Sequence, residues 1–568
     1  MQESITQVKK LIDQGRYFEA QAKATSELAI SSDNRIKQLY ALALSKSGSP
    51  EDALEFMEPL YRQTPDDSEA AGILGSICKE LFKKNQTTSY AIRSRDTYLS
   101  NFNSTKSFYT GINAASMSAM AGQAGRSREI AAEVISLLDE NSEDFWIQAT
   151  LGEGYLLTKN KIKATEFFIK ARKLVGNDWG RVTSVHNQLW LLNHFLQVPT
   201  DIMKLFSPPG VVAFIGHMID HPNRTEPRFP ASIEQKVKEA IVHSIRSLNA
   251  HIGYCSLACG GDILFAEAMA EIGGEVTLFL PFDKDDFIKT SVQFAGENWV
   301  NRFHALVERF PVHRITTERY EGLDELFSFQ SRIIFGASVL RGQYGHSEPT
   351  LLTVLSEVDL KRKEGGTRHT INLWPYQNRI VNVNPDNLVT PNPVKLTPAA
   401  ATQHESLSPK RAIFYLAYVD LVDAAAADIE KIKNRFSQSN TNEFIAALTF
   451  DTTTRFLLAS ESEAFLIDFV RYITKLKEAY RMKNPTTMSL HAGPAYYEQK
   501  DSGYSLSGES VDFVKALSNS VSSGSILVSD YLADLLTLDT KMISLDYGGV
   551  FVSANDSRKA NVYKIHFV

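Results

Sequence analysis

The sequence predicts three folded parts in series: an all-α array of helical repeats, an α/β parallel sheet, and a smaller α+β domain. Alanines recur at a fixed spacing through the first third of the chain. The middle alternates strand-length apolar runs with helix-length stretches, and the last part mixes hairpins with helices. A chain of 568 residues has room for about three or four domains. Hydrophobic residues at 43% and charged residues at 22% are ordinary globular values, so chain-wide disorder is excluded. Sixty Lys+Arg against 66 Asp+Glu leave a net charge of −6, with no basic excess to hold a nucleic-acid backbone. The polar N-terminus has no apolar signal-peptide core, and the longest apolar runs fall far short of the ~20 residues of a membrane span. A soluble, cytoplasmic protein is expected.

Residues 1–200 read as helix after helix. Ala20 and Ala53 are 33 residues apart, as are Ala131 and Ala164. Each follows a turn containing Gly or Asn: Gly15-Arg-Tyr, Gly48-Ser-Pro, Gly125-Arg-Ser and Lys159-Asn-Lys. A period near 34 with two helices per unit is the signature of a tetratricopeptide array. The best copy runs Leu151-Gly152, Tyr155, Ala164, Phe168, Ala171. In it, Gly152 and Ala164 let paired helices approach while Tyr155 and Phe168 fill the gap between repeats. Residues 75–120 look irregular. The resemblance to tetratricopeptide arrays implies a protein partner for this region.

Residues 208–386 change pattern. Val211–Ile215 is a short apolar run suited to a strand buried on both faces. A helix over Ser232–Leu248, a strand ending at Cys255, a helix over Asp262–Ile272 and the strand Val276–Leu280 follow. This alternation predicts a parallel sheet flanked by helices, continuing through Ile371–Val383. Glycines mark its strand-to-helix junctions at Gly216-His217, Gly260-Gly261-Asp262 and Gly365-Gly366-Thr367. Ligands of open parallel sheets sit beyond the carboxyl ends of the strands, where helix N-termini offer N–H groups and about half a positive charge. A phosphate-bearing guest is the natural occupant. His217 reads either as a ligand contact or general base, or as a solvent-facing loop residue. Cys78, Cys255 and Cys259 are too few for a disulfide framework and lack zinc-site spacing, so Cys255 and Cys259 read as small buried hydrophobes. Residues 387–410, with four prolines, read as a linker.

In residues 411–568, strand-like Ala412–Val419 precedes a helix over Ala424–Phe436, a β-rich stretch over Phe444–Ala459 and a helix over Ser462–Tyr480. Met488–His491, a helix over Gly508–Ser518 and a strand over Ser525–Ser529 complete an α+β pattern.

Two stretches resemble known families. Gly216-His217, Cys259-Gly-Gly-Asp262, Glu267-Ala-Met, Gly273-Gly274 through Pro281-Phe282 and Gly365-Gly-Thr367 resemble the SLOG superfamily of Rossmann-like domains. That group includes lysine-decarboxylase-like and DprA-like proteins. The resemblance implies binding or cleavage of a nucleotide or nucleotide-derived ligand. It would place phosphate at Gly260, Gly261 and Gly365, Gly366 and Thr367, and sugar at Asp262 and Glu267. Ser356-Glu357-Val358-Asp359 stands where relatives carry an acidic or Trp-Asp-Gly turn, a departure that bears on catalysis more than on binding.

Ala412 through Asp420-Leu-Val, Ser489-Leu-His491-Ala-Gly-Pro494, and Gly508-Glu-Ser-Val511-Asp512 with Ala516 resemble class III nucleotidyl cyclases, whose domain is ferredoxin-like. The resemblance implies that Asp420 and Asp451 would hold Mg²⁺ or Mn²⁺ with a nucleotide. It also implies sites formed between two such domains, hence a homodimer through this region. Asp420, Asp451 and Asp512 are the catalytic candidates. Yet Phe450 replaces the Gly before the second carboxylate, Asp512 stands at the Asn position and Ala516 at the Arg position. An acid there repels polyphosphate, and losing one stabilising donor costs about 10²–10³ in rate. A degenerate cyclase is expected.

Taken together, the three parts resemble bacterial proteins whose N-terminal region is related to the TRAF-binding region of MAP kinase kinase kinases. That likeness implies a cytoplasmic signalling or stress-sensing scaffold. The alternative is an enzyme, either a weak or partner-dependent cyclase or a nucleotide-processing hydrolase.

Overall fold

The computed structural model describes every residue except 1, 14–16, 47–48, 66, 177, 225–226, 358–369, 389–409, 422–423, 437–444, 480–485, 501–502, 522–524, 540–542, 554–557 and 568. The described residues fall into two units, Met1–Pro208 with Tyr547–Phe551, and Pro209–Asp546 with Val552–Val568.

Residues 1–208 are all α. The helices are α1 (Gln2–Asp13), α2 (Tyr17–Leu28), α3 (Asn34–Lys46), α4 (Pro50–Gln63), α5 (Ser68–Asn85) and α6 (Thr88–Thr105). They continue with α7 (Phe108–Met120), α8 (Ala124–Ser136), α9 (Phe145–Leu157), α10 (Lys161–Val175), α11 (Trp179–Asn193) and α12 (Thr200–Leu205). Asp67, Asp144, Asn160 and Asp178 start α5, α9, α10 and α11 by accepting backbone N–H groups of the first turn. The repeated alanines Ala20, Ala53, Ala131 and Ala164 lie on second helices of the hairpins and are wholly buried. First helices answer with glycine. A Cβ added at Gly75 or Gly152 would lie 2.8 Å from ring atoms of Tyr98 or Phe168, so only a hydrogen fits there. Tyr155 stacks on Phe167 with ring centroids 5.3 Å apart. The stretch 75–120, irregular in sequence, continues the hairpins. Its period breaks because α5 and α6 each run to 18 residues.

The second unit contains two sheets. Strands β1 (Gly210–Gly216), β2 (Ala250–Cys255), β3 (Glu275–Leu280), β4 (Val312–Arg314), β5 (Thr350–Val354) and β6 (Ile380–Val383) are all parallel, in the order β4-β3-β2-β1-β5-β6. Helices α13 (Glu234–Ser247), α14 (Gly261–Glu271), α15 (Lys284–Ser291), α16 (Glu297–Arg309) and α17 (Glu325–Tyr344) accompany them. The strand order reverses at β1, which has β2 on one side and β5 on the other. This is the switch point at which such sheets open a crevice.

The second sheet is built from β7 (Lys410–Asp420), β8 (Ala446–Phe450), β9 (Arg455–Ser460), β10 (Thr487–Lys500), β11 (Gly503–Ser507), β12 (Ile526–Ser529), β13 (Ile543–Val552) and β14 (Lys559–Phe567). Its order is β13-β14-β12-β10-β7-β9-β8, with β11 beside β10. β10 runs antiparallel to β7 and parallel to β12, so the sheet is mixed. Helices α18 (Ala426–Phe436), α19 (Glu463–Ala479), α20 (Glu509–Ser518) and α21 (Asp530–Asp539) complete an α+β arrangement. Alternate β7 residues Phe414, Leu416 and Tyr418 pack with Val511 and Val514 of α20.

The two sheets share a close contact. A Cβ on Gly336 of α17 would collide with the backbone of Asp534 in α21. The Tyr531 hydroxyl donates to the Arg314 carbonyl at 2.7 Å. Arg411, its side chain 4% exposed, pairs with Glu318 and donates to the Arg319 carbonyl at 3.1 Å. Removing that guanidinium would leave Glu318 without its counter-charge. We therefore expect Arg411→Met to cost about 3 kcal/mol, and Arg411→Met with Glu318→Gln to cost less than the single change. Denaturant midpoints measure both, and equal or larger loss in the double variant would contradict the assignment.

Candidate functional site

At the switch point the loop after β1 meets the loop after β2 backbone to backbone. Gly260 has φ +103, a left-handed conformation that favours glycine, and a Cβ there would collide with the Ile219 amide. A Cβ on Gly261 would stand 3.2 Å from the Gly216 Cα. Gly216, Gly260 and Gly261 are thus brought together. Part of what they offer is already used: the Gly261 N–H donates to the His217 carbonyl at 2.9 Å, and the Ile219 N–H to the Cys259 carbonyl at 3.1 Å. His217 does not face solvent. It is 5% exposed, and its Nε2 accepts the Ser356 N–H at 3.1 Å across the mouth between β1 and β5. An accepting Nε2 puts the proton of the neutral ring on Nδ1.

Asp262 is buried in the first turn of α14, where its Oδ2 accepts the Ala258 N–H at 3.1 Å. Burial pushes its carboxyl up to about 7, against the opposing pull of hydrogen bonds from Ala258 and Ser256. Glu267 lies elsewhere. Arg302 grips both its oxygens, at 2.7 and 2.9 Å, and Lys238 approaches within 3.4 Å, tying α14 to α16 and α13. Gly365, Gly366 and Thr367 fall outside the described residues. Cys255 and Cys259 are free and buried, and burial pushes the Cys259 thiol to about 12, so neither is a ready nucleophile.

The second sheet gathers the cyclase-type carboxylates at one end of β7. Asp420 pairs in register with Arg455 of β9, whose Nε donates to its Oδ2 at 2.6 Å. Tyr418, two residues earlier on the strand, donates its hydroxyl to Asp451 at 2.8 Å. Lys515 of α20 reaches the same carboxylate at 2.9 Å. Burial alone would raise Asp451. Lys515 and Tyr418 outweigh it and hold the carboxyl below its usual range. Burial, then Asp451, pushes the Tyr418 hydroxyl to about 12. Asp512 is exposed on α20. Both candidate metal ligands are therefore paired with a cation, Asp420 with Arg455 and Asp451 with Lys515. Among the described residues no group of three or more His, Cys, Asp or Glu is placed to hold a metal.

Sequence reasoning missed Arg455, Lys515 and Tyr418. A cation facing a carboxylate from a neighbouring strand or helix leaves no local pattern. It also missed β5 and Ser356, although Leu351-Leu352-Thr353-Val354 is a strand-like run that would have shown the wall of the crevice.

Comparison with known proteins gives a family match for the N-terminal region. Residues 5–118 match the family model described as Tetratricopeptide Repeats-Sensor. Among solved structures, a thermophilic tetratricopeptide protein of Thermus thermophilus aligns at 17% identity, covering 33% of this chain and 98% of that one, with a TM-score of 0.29. The adenylyl cyclase CyaB from P. aeruginosa aligns at 14% identity over 28% of this chain and 97% of that one, with a TM-score of 0.22. The guanylyl cyclase Cya2 aligns at 10% identity over 28% and 95%, with a TM-score of 0.23. No curated protein matches the chain. Among the described residues no helix is long and apolar enough to cross a membrane.

The raised Asp262 carboxyl has a measurable consequence. Its folded pKa exceeds its unfolded one, so its stabilising contribution is full below about pH 4 and lost as pH rises through about 7. Asp262→Asn keeps the acceptor for Ala258 and removes the titration. Its thermal midpoint should gain on the wild type by a few degrees between pH 5 and pH 8. A gap independent of pH would refute the shift.

Proposed function

We propose that this chain is a signalling scaffold in which the parallel-sheet domain binds a nucleotide or nucleotide-derived ligand, the repeats engage a protein partner, and the cyclase-like domain does not catalyse. The observation that carries the reading is the close approach of Gly216 and Gly261 beside the β1–β5 switch point. Glycine there lets two loops and the start of α14 converge at the carboxyl ends of the strands, the place where open parallel sheets take phosphate-bearing ligands. Asp262, protonated below about pH 7, would then offer a hydrogen-bond donor rather than a repelling charge. The non-catalytic reading of the second sheet rests on Arg455 and Lys515, which neutralise the carboxylates that metal-assisted cyclisation needs free.

Two experiments test the proposal. Small molecules released from the purified full chain are identified by mass spectrometry, and thermal shifts with nucleotides are compared for wild type and Gly261→Asp. The wild type should yield a phosphate-bearing compound or a nucleotide-dependent shift that the variant loses. An empty protein with equal shifts in both forms would sink the binding reading. Incubation with ATP, GTP, CTP and UTP plus Mn²⁺ should give no cyclic product, and a product abolished by Asp420→Ala would overturn the non-catalytic one.

A further inference from the structure

The repeat unit holds an open cavity of about 810 Å³, lined chiefly by the first helices of successive hairpins, α3, α5, α7, α9 and α11. Each contributes a polar or charged residue at a repeat-related place: Lys46, Lys79, Asn113, Glu153 and Gln188. Successive members of this series are 33, 34, 40 and 35 residues apart, one on each first helix. The side chains are joined. Lys79 Nζ donates to Asn113 Oδ1 at 3.1 Å and to Gln188 Oε1 at 3.0 Å, and Gln188 Nε2 donates to Glu153 Oε1 at 2.7 Å. The Ser116 hydroxyl also donates to Glu153.

Lys79 therefore carries its charge into the wall of a deep cavity with only neutral amide oxygens as hydrogen-bond acceptors. Glu80, the nearest acid on its own helix, is held by Lys83 at 2.9 Å. Burial lowers the Lys79 ammonium to about 8 and raises the Glu153 carboxyl, as expected where charge is poorly compensated. Glu153 and Glu80 attract the Lys79 charge without contacting it, and burial still prevails; an anion seated directly on Nζ would offset that cost. Two aromatic side chains lining the same cavity, Tyr109 and Trp146, are 53% and 44% exposed. Their ring faces suit a flat group.

We propose that this cavity is a second ligand site, taking a small organic oxyanion whose phosphate or carboxylate meets Lys79 and whose ring lies against Tyr109 and Trp146. The site is separate from the switch-point crevice and shares no residue with it.

Saturation-transfer NMR on the full chain tests it with phenyl phosphate and benzoate as probes and phenol as the uncharged control. At least one anion should receive saturation and phenol should not. Lys79→Met should weaken the anion's binding at least about tenfold, since a charge-assisted hydrogen bond is lost. Tyr109→Ala, at the exposed rim, should weaken it too with the thermal midpoint unchanged, and Gly261→Asp should leave it intact. The two anions tell phosphate from carboxylate as the preferred group. Absence of transfer to both anions, equal transfer to phenol, or undiminished binding in both Lys79→Met and Tyr109→Ala would overturn the proposal.

Discussion

The contact between α17 and α21 governs the second unit. At Gly336 the helix axis comes so near Asp534 that no side chain fits between them, and this closeness seats one sheet against the other. Arg411, Glu318, Thr316 and Glu509 also meet across this boundary, in direct hydrogen bonds and an ion pair. Helix α17 reaches further. Gln330 donates to Ser256, a hydrogen-bond partner of Asp262, and two residues on Arg332 donates to Tyr415 of β7 and Glu463 of α19. One helix thus touches the surroundings of Asp262 in the first sheet and the elements of the second.

Two aspartates show how environment decides the character of one side chain. Asp262 is surrounded by neutral hydrogen-bond donors, so desolvation prevails and the carboxyl approaches neutrality near pH 7. Asp451 has Lys515 and Tyr418 at hand, and their favourable interactions overcome its burial penalty. The first is suited to meet an anionic guest without repelling it. The second has its negative charge already matched by Lys515.

The repeat unit obeys a steric rule and a polar one. Its hairpins close where glycine or alanine lets an aromatic ring settle onto the neighbouring helix, as Phe168 does beneath Gly152. Its inner wall sets Lys79, Asn113, Gln188 and Glu153 in a hydrogen-bonded row, since the geometry that repeats the packing also repeats the inward-facing position.

Periodicity made much of this legible. Alanine spacing announced the hairpins, the run Val211–Ile215 announced a doubly buried strand, and glycines at Gly216, Gly260 and Gly261 marked the junctions that do converge. These are local signals, because helix and strand periods are written in consecutive residues. Other features depend on groups far apart in the chain: the Glu267 carboxylate taken by Arg302, His217 turned inward to Ser356, and Arg455 and Lys515 set on the two aspartates. Residue order determined which elements form and where backbone can approach backbone. Only tertiary packing decided which charges are matched, because a charge's partner is chosen by distance in space and carries no period along the chain.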